Sequence, residues 1–344
     1  MYPVSFGSDN HSGAHPTVID SMISANSGFC FGYGDDPLTL SVIEDIKSMF
    51  GGKCECWFAL TGTGANVLAL QSLMNSFHSV ICANTAHINV DECGAVQKFT
   101  QARLTALDVP DGKLRPEVIL PLMHDRGDQH HSQKRVISIS QSTEYGTLYS
   151  LDELRALADF AHAHGMYLHI DGARLANAAV ALGVSLQAMT YDVGADIISL
   201  GGTKNGLMFG EAIISFRPEL TPDIIYYRKQ ASQLYSKMRY ISAQFQAYLQ
   251  NDLWHTNAEH ANRMAKLFAA KLTGIPGVTI TQNVEVNALF AILPRAIIAP
   301  LQEKYLFYVW NEERHEVRLM CSFSTTEAQL DAFVTDLHAM LSHV

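Results

Sequence analysis

Residues 166–206 read MYLHIDGARLANAAVALGVSLQAMTYDVGADIISLGGTKNG, and two short β-rich runs, MYLHID (166–171) and ADIISL (195–200), bracket a stretch of helical composition. Strand, helix, strand in that order is the βαβ unit, which lays its two strands parallel in one sheet. Parallel strands deliver their C-terminal ends to the same edge, and open α/β sheets bind ligands in the crevice beyond that edge. Asp171 ends the first strand and Lys204 follows the second after the pair Gly201–Gly202, so a carboxylate and an amine are brought to one crevice.

The same alternation extends outward. CECWFAL (54–60), SVICA (79–83), RVISIS (135–140) and EAIISF (211–216) read as further strands, with helices between them. Asp36 as N-cap, Pro37 at the first helical position and Val42, Ile43, Ile46, Met49 and Phe50 at helical spacing define one amphipathic helix that stops at Gly51. Ser150 and Glu153 form a capping box for LDELRALADFAHAHG, and Gly165 suits the left-handed position that ends it. These units predict an α/β large domain over 1–245 built on a mainly parallel sheet, with residues 1–14 as an N-terminal arm. After about 245 a long helical stretch, the runs VTITQ and NALFAIL, a helix near RAIIAPLQEKY, two strands and a terminal helix predict a smaller α+β domain over 246–344.

Composition narrows the partners. Hydrophobic residues make up 48% and charged residues 17% of the 344, which suits a folded globular chain. The formal charge of −10 disfavours nucleic acid, whose phosphates call for clustered Lys and Arg. The opening MYPVSFGSDNHSGAHP has neither a basic n-region nor an apolar h-region, and no later apolar run is of bilayer length, so no membrane contact and a cytoplasmic location are the default expectations. Six scattered cysteines are expected to be reduced; Cys54 and Cys56 share one face of a strand and read as buried structural thiols. His124, His130 and His131 fall in the polar run HDRGDQHHSQKR and read as solvated loop, and no metal site is expected.

Three features carry chemistry. A desolvated lysine is an amine nucleophile toward an aldehyde, and an aspartate opposite it can hold a pyridine nitrogen protonated; Lys204 and Asp171 are the minimal protein equipment for pyridoxal chemistry. A buried structural ion pair is the plain alternative. LTGTGAN (60–66) closes a strand and opens a helix, so the free amides near Gly62 and Thr63 make a phosphate cradle, without the fingerprint of a dinucleotide site or the lysine of a P-loop. His87, just beyond strand SVICA, can stack on a flat ring or exchange protons.

Together the motifs resemble the L-threonine aldolase family, within the beta-eliminating lyases of the aspartate-aminotransferase-like fold. The resemblance runs through FGSDNHSGAHP, YGDDPLTLSVIEDI, LTGTGANVLAL, HINVDECGA, LHIDGARLANAAVA, SLGGTKNG and RLMCSFST, in the family's order and over nearly the whole chain. It implies pyridoxal 5'-phosphate bound covalently at Lys204, with Asp171 at the ring nitrogen, His87 stacked on the ring, and Gly62 and Thr63 at the phosphate. Ser8, Arg174 and Arg318 are then assigned to the substrate carboxylate and cofactor, with Arg318 the preferred clamp. The implied activity is cleavage of L-threonine or a related β-hydroxy-α-amino acid, such as phenylserine, to glycine and an aldehyde. The alternatives are β-elimination on another amino acid, a silent cofactor-binding protein and, on the glycine-rich turn alone, a nicotinamide enzyme. The family also implies a homodimer or homotetramer with shared active sites, to which Tyr33, Arg228, Lys229, Lys237 or Arg239 could contribute. One departure stands out: QSTEYGTLYS (141–150) puts Glu144 where many members carry a histidine, so Glu144 joins His87 as a candidate base.

Overall fold

Seven strands form the central sheet of the computed structural model, which describes residues 4–342. They are β1 (Glu55–Ala59), β2 (His78–Ala83), β3 (Arg103–Leu107), β4 (Gln133–Ser140), β5 (Tyr167–Gly172), β6 (Ile197–Gly201) and β7 (Glu211–Ser215), in the spatial order β1-β7-β6-β5-β4-β2-β3. Every pairing is parallel except the two made by β7. The reversal of β7 has a simple cause: residues 202–210 separate it from β6, fewer than the roughly dozen a parallel crossover needs. The edge strand β3 escaped the sequence reading because RLTAL is only partly buried and lacks the continuous apolar run of its neighbours.

Helices cover both faces, as a sheet buried on two sides requires. The named ones are α1 (Pro16–Ser24), α2 (Pro37–Met49), α3 (Gly62–Leu73), α4 (Leu151–Ala163), α5 (Leu175–Leu182), α6 (Ile224–Gln230), α7 (Arg239–Leu249), α8 (Leu253–Leu272), α9 (Arg295–Lys304) and α10 (Glu327–Leu341). Asp36 caps α2 through the Thr39 amide at 2.9 Å, and Val42 and Ile46 are fully buried beneath it. The capping box of α4 is present in both directions, 3.2 Å and 2.8 Å, and Gly165 takes φ +60° where the chain leaves the helix. By contrast α3 is apolar nearly all round and lies against the middle of the sheet, which fixes its N-terminus over the crevice.

The second unit carries a four-stranded antiparallel sheet of β8 (Thr279–Ile280), β9 (Ala288–Ile292), β10 (Tyr308–Asn311) and β11 (Glu316–Met320), ordered β10-β11-β9-β8. Its core is separate, built around Phe268, Leu289, Phe307, Leu319 and Phe333. The N-terminal arm is stitched to it: Val4–Ser5 pairs in parallel with Tyr305–Leu306, and Phe6 is fully buried against Phe268 and Phe333. From there the arm crosses back to the large sheet, where the His15 amide donates to the Gly206 carbonyl at 2.8 Å. Helix α8 spans both units, placing Trp254 and Ala258 in the first core and Met264 and Phe268 in the second.

All six cysteines are free. Cys54 and Cys56 are buried on either side of exposed Glu55, and burial pushes the Cys54 thiol up to about 11. His130 and His131 are exposed, with His131 3.7 Å from Asp125 and 3.6 Å from Asp128. Among the described residues no cluster of His, Cys, Asp and Glu is arranged to hold a metal ion.

Candidate active site

One edge of the large sheet collects the ends of β1, β4, β5 and β6 and, because β7 runs the other way, the start of β7. Thr61, Glu144, Asp171, Lys204 and Glu211 therefore arrive at one cavity of about 350 Å³, joined by Asn66 of α3 and by His87 after β2. That volume falls in the roughly 300–1,000 Å³ range of small-molecule sites. Of the residues singled out in the sequence, Lys204, Asp171, His87, Glu144, Gly62 and Thr63 line it; Ser8, Arg174 and Arg318 do not.

Two glycines let the key strands converge. A Cβ on Gly172 would lie 2.2 Å from the Ser199 carbonyl oxygen, and one on Gly201 would lie 2.3 Å from that of Ala173. Both obstacles are backbone and cannot swing aside, so any side chain there would drive β5 and β6 apart. Gly206 plays a related part behind the lysine. It has φ +109°, and a Cβ would meet the Asn257 side chain at 2.7 Å. Asn257 donates to the Asn205 carbonyl at 2.9 Å, while the Asn205 amide donates to Tyr248 at 2.9 Å and to the Trp254 carbonyl at 2.8 Å. The single turn Thr203–Asn205 that carries Lys204 is thus clamped to α7 and α8.

Asp171 is 7% exposed and keeps its charge through its neighbours. Burial alone would raise its pKa, but the Ala173 amide at 3.0 Å, the charge of Lys204 and the Asn66 amide at 2.8 Å together hold it below the usual carboxylate range. Asn66 also donates to Glu92 at 2.9 Å, and Glu92 meets Nδ1 of His87 at 2.9 Å. A continuous chain of hydrogen bonds therefore runs from His87 through Glu92 and Asn66 to Asp171. Glu92 raises the pKa of His87, more than burial lowers it, with Glu144 and Asp171 adding to the effect. With Nδ1 engaged by Glu92, Nε2 is the ring nitrogen left for chemistry. Behind Asp171, His169 is fully buried against Ser138 at 2.9 Å and burial holds it near 4, hence neutral.

The phosphate cradle forms where α3 begins. Thr61 caps the helix, its hydroxyl accepting from the Gly64 amide at 3.1 Å and its carbonyl from the Ala65 amide at 2.9 Å. The amides of Gly62 and Thr63 belong to the first turn, which has no intrahelical acceptors, and they point to an anion site. A Cβ on Gly62 would meet nothing within 4 Å, so this side is open, whereas Gly64 is backed at 2.3 Å by Gln233, which accepts the Leu60 amide at 2.9 Å. Helix α6 packs on α3 with Arg228 largely buried and its Nε unpaired among the described residues. Lys229 stacks on Tyr33 at 5.1 Å, and Arg239 bonds the carbonyls of Ser27 and Gly28. Lys237 lies in the turn between α6 and α7.

The two arginines have different partners. Arg174, 8% exposed, is turned onto Asp9, Nε to Oδ2 at 2.7 Å and Nη2 to Oδ1 at 3.1 Å, and Asn287 donates to the same carboxylate at 3.2 Å. Burial works against both charges, but each ion holds the other: Asp9 is kept below its ordinary range and Arg174 above its own. Arg318 stacks on Trp310 at 5.0 Å and gives one bond, to the Gly7 carbonyl at 3.3 Å, leaving Nε unpaired among the described residues. Arg318 has donors to spare and Arg174 has fewer. Ser8 caps the short turn Asp9–His11 through the Asn10 amide. Sequence reasoning passed over Asp9, Asn66, Glu92 and Glu211. Asp9 and Glu92 lay inside quoted motifs, and Glu211 was a lone charge opening an apolar strand, the one local sign that it faces something polar.

A family model described as beta-eliminating lyase matches residues 5–295. A low-specificity L-threonine aldolase of Pseudomonas aeruginosa is 40% identical over 98% of this chain and 97% of its own length, and one of a Pseudomonas species is 40% identical over 98% of each. The solved structure of a threonine aldolase from Leishmania major superposes with a TM-score of 0.93, at 29% identity, over 98% of this chain and 99% of that one. With its fold, the order of its motifs and its full-length relatives in agreement, the chain belongs to the beta-eliminating lyase family.

Proposed function

We propose that this chain is a pyridoxal 5'-phosphate-dependent carbon–carbon lyase that cleaves L-threonine and related β-hydroxy-α-amino acids to glycine and an aldehyde. The observation that carries the reading is the meeting of Lys204 and Asp171, from adjacent strand ends, in a cavity that the start of α3 also lines. The residues fit the cofactor. A carboxylate kept ionised suits a ring nitrogen, free amides beside the uncrowded Gly62 suit a phosphate, and His87 lines the same cavity.

When bound, pyridoxal 5'-phosphate supplies an aldehyde that exchanges amines and a protonated ring that accepts an electron pair. Lys204 would offer the amine that holds the cofactor's aldehyde. Asp171, locked by Ala173 and Asn66, keeps a proton at the ring nitrogen. Arg318, outside the cavity lining but held to the arm at Gly7 with donors unused, would take the substrate carboxylate, and Asp9, in the same arm as Ser8, orients Arg174. His87 and Glu144, both in the cavity wall, are the candidate bases for the proton of the β-hydroxyl, whose loss drives carbon–carbon cleavage; Nε2 of His87 would act only when the ring is neutral.

Purified protein given L-threonine or L-phenylserine should release glycine with acetaldehyde or benzaldehyde, and Lys204→Ala should lose both the visible absorbance of the bound cofactor and the aldehyde. Pyruvate and ammonia in place of glycine would reassign the reaction to β-elimination. The proposal includes a homo-oligomer, dimer or tetramer, supported by the run of exposed aromatics Phe29, Phe31 and Tyr33. It keeps a large domain at 1–245, a small one at 246–344 and a cytoplasmic location; among the described residues no helix is long and apolar enough to cross a membrane.

A further inference from the structure

Glu211 is a carboxyl for which the reaction above has no use. It is 7% exposed, lines the cavity, and accepts the Gly202 amide at 2.7 Å while bonding the Thr203 side chain. Its place is set by register: it opens β7 between Ala59 of β1, two residues before Thr61, and Gly201 of β6, two residues before Thr203. Glu211 therefore sits between the helix start that suits a phosphate and the turn that carries Lys204. The groups facing it are Lys204, Asp171 and the Tyr248 hydroxyl; the stretch Leu60–Thr63 on its other side is uncharged.

A phosphate dianion brought beside a buried carboxylate meets a repulsion that little water is present to screen. Lys204 cannot relieve it, since its amine is committed to the cofactor aldehyde. A neutral carboxyl removes the repulsion and can donate a hydrogen bond. We propose that Glu211 takes up a proton as the cofactor's phosphate binds, so that cofactor affinity is tied to pH through this side chain. Burial, only partly offset by Thr203, the Gly202 amide and Lys204, already raises Glu211 to about 7 in the free protein, so the proton is within reach near neutrality.

This rests on the cofactor reading above, and the test separates the two. Apoenzyme is titrated with pyridoxal 5'-phosphate and, separately, with pyridoxal, at pH 7.0 and 8.5, in wild type and in Glu211→Gln. Glutamine is neutral at every pH and can still accept the Gly202 amide. The phosphate, with its second ionisation near pH 6, stays a dianion across this window. For wild type, the protonated fraction falls from one half to about one thirtieth, so affinity for the phosphorylated form should drop about fifteenfold between the two pH values. The same comparison should be flat in Glu211→Gln beyond whatever change pyridoxal itself shows, because effects on Lys204 are common to both ligands. Calorimetry of wild type in two buffers of different ionisation enthalpy needs no variant. It should report about one more proton taken up per site at pH 8.5 with the phosphorylated ligand than with pyridoxal. Parallel pH profiles in the two proteins, an equal Glu211-dependent slope with pyridoxal, or no excess proton uptake would overturn the proposal while leaving the cofactor reading intact. Failure of wild type to bind pyridoxal 5'-phosphate at either pH would overturn both.

Discussion

Asp9 and Arg174 offer the sharpest test of how the arm, the sheet and the site are joined. Both side chains are nearly fully buried, 1% and 7% exposed, and their two contacts are 2.7 and 3.1 Å. Removing one member of such a pair leaves the other as an uncompensated buried ion, at a cost of about 3–5 kcal/mol. Asp9→Leu and Arg174→Met should each therefore lower unfolding free energy by about that amount. The double variant, which buries apolar groups in place of two ions, should lose far less than the sum, with a coupling of about 3 kcal/mol or more. Denaturant unfolding of the apoenzyme, followed by fluorescence and circular dichroism, gives all four corners of the cycle. The pair also has a pH signature. Because the folded state holds the Asp9 carboxyl below its ordinary value of 3.8, its stabilisation is complete above that pH and is lost as pH falls through the folded value. The wild type should lose stability more steeply than Asp9→Leu on acidification below about pH 4. Single-variant costs below about 1 kcal/mol, or strict additivity, would refute the assignment of a buried and coupled ion pair.

Other outcomes follow from single contacts. Gly201→Ala forces a methyl against the Ala173 backbone and should cost at least the about 1–3 kcal/mol of an overpacked core, with disproportionate loss of cofactor binding; a stable, fully loaded variant would mean that β5 and β6 separate freely. Glu92→Gln removes the contact that raises the His87 pKa, so the limb of the kcat/KM profile that depends on neutral His87 should move to lower pH. The same contact stabilises the fold fully below about pH 6.5 and is lost as pH rises through the folded value, so the variant should lose most stability on the acid side; an unmoved limb would remove His87 as the titrating base. Arg318→Leu should raise KM and lower kcat/KM by about 10- to 100-fold, the worth of a charge-assisted hydrogen bond, with only partial rescue by Arg318→Lys; an unchanged KM would pass the clamp to Arg174.

Features with a local cause could be read from the chain. The capping box at Ser150 and Glu153, the Asp36–Pro37 start and the Gly51 stop each act within one turn, and the structure carries them. Asp171 and Lys204 were readable because a strand's end is visible in sequence and parallel strands share an edge. The reversal of β7 was equally available from the short 202–210 connection. Edge strand β3 was not, since half-buried strands lack a continuous apolar run.

By itself, then, the amino-acid sequence determined the α/β alternation and the mainly parallel sheet, and it pointed to Lys204, Asp171, His87, Gly62 and Thr63 through short-range periodicity, capping and strand direction, while Glu144 was singled out by the family resemblance; all six line the one cavity. Only the tertiary structure decided that Arg174 is spent on Asp9, 165 residues away, that Asn66 and Glu92 tie His87 to Asp171, and that Glu211 faces the cavity. All but the His87–Glu92 contact join residues well separated in the chain, and their energies come from desolvation and from which charge lies opposite, quantities that exist only once the arm, the sheet and the helices have packed.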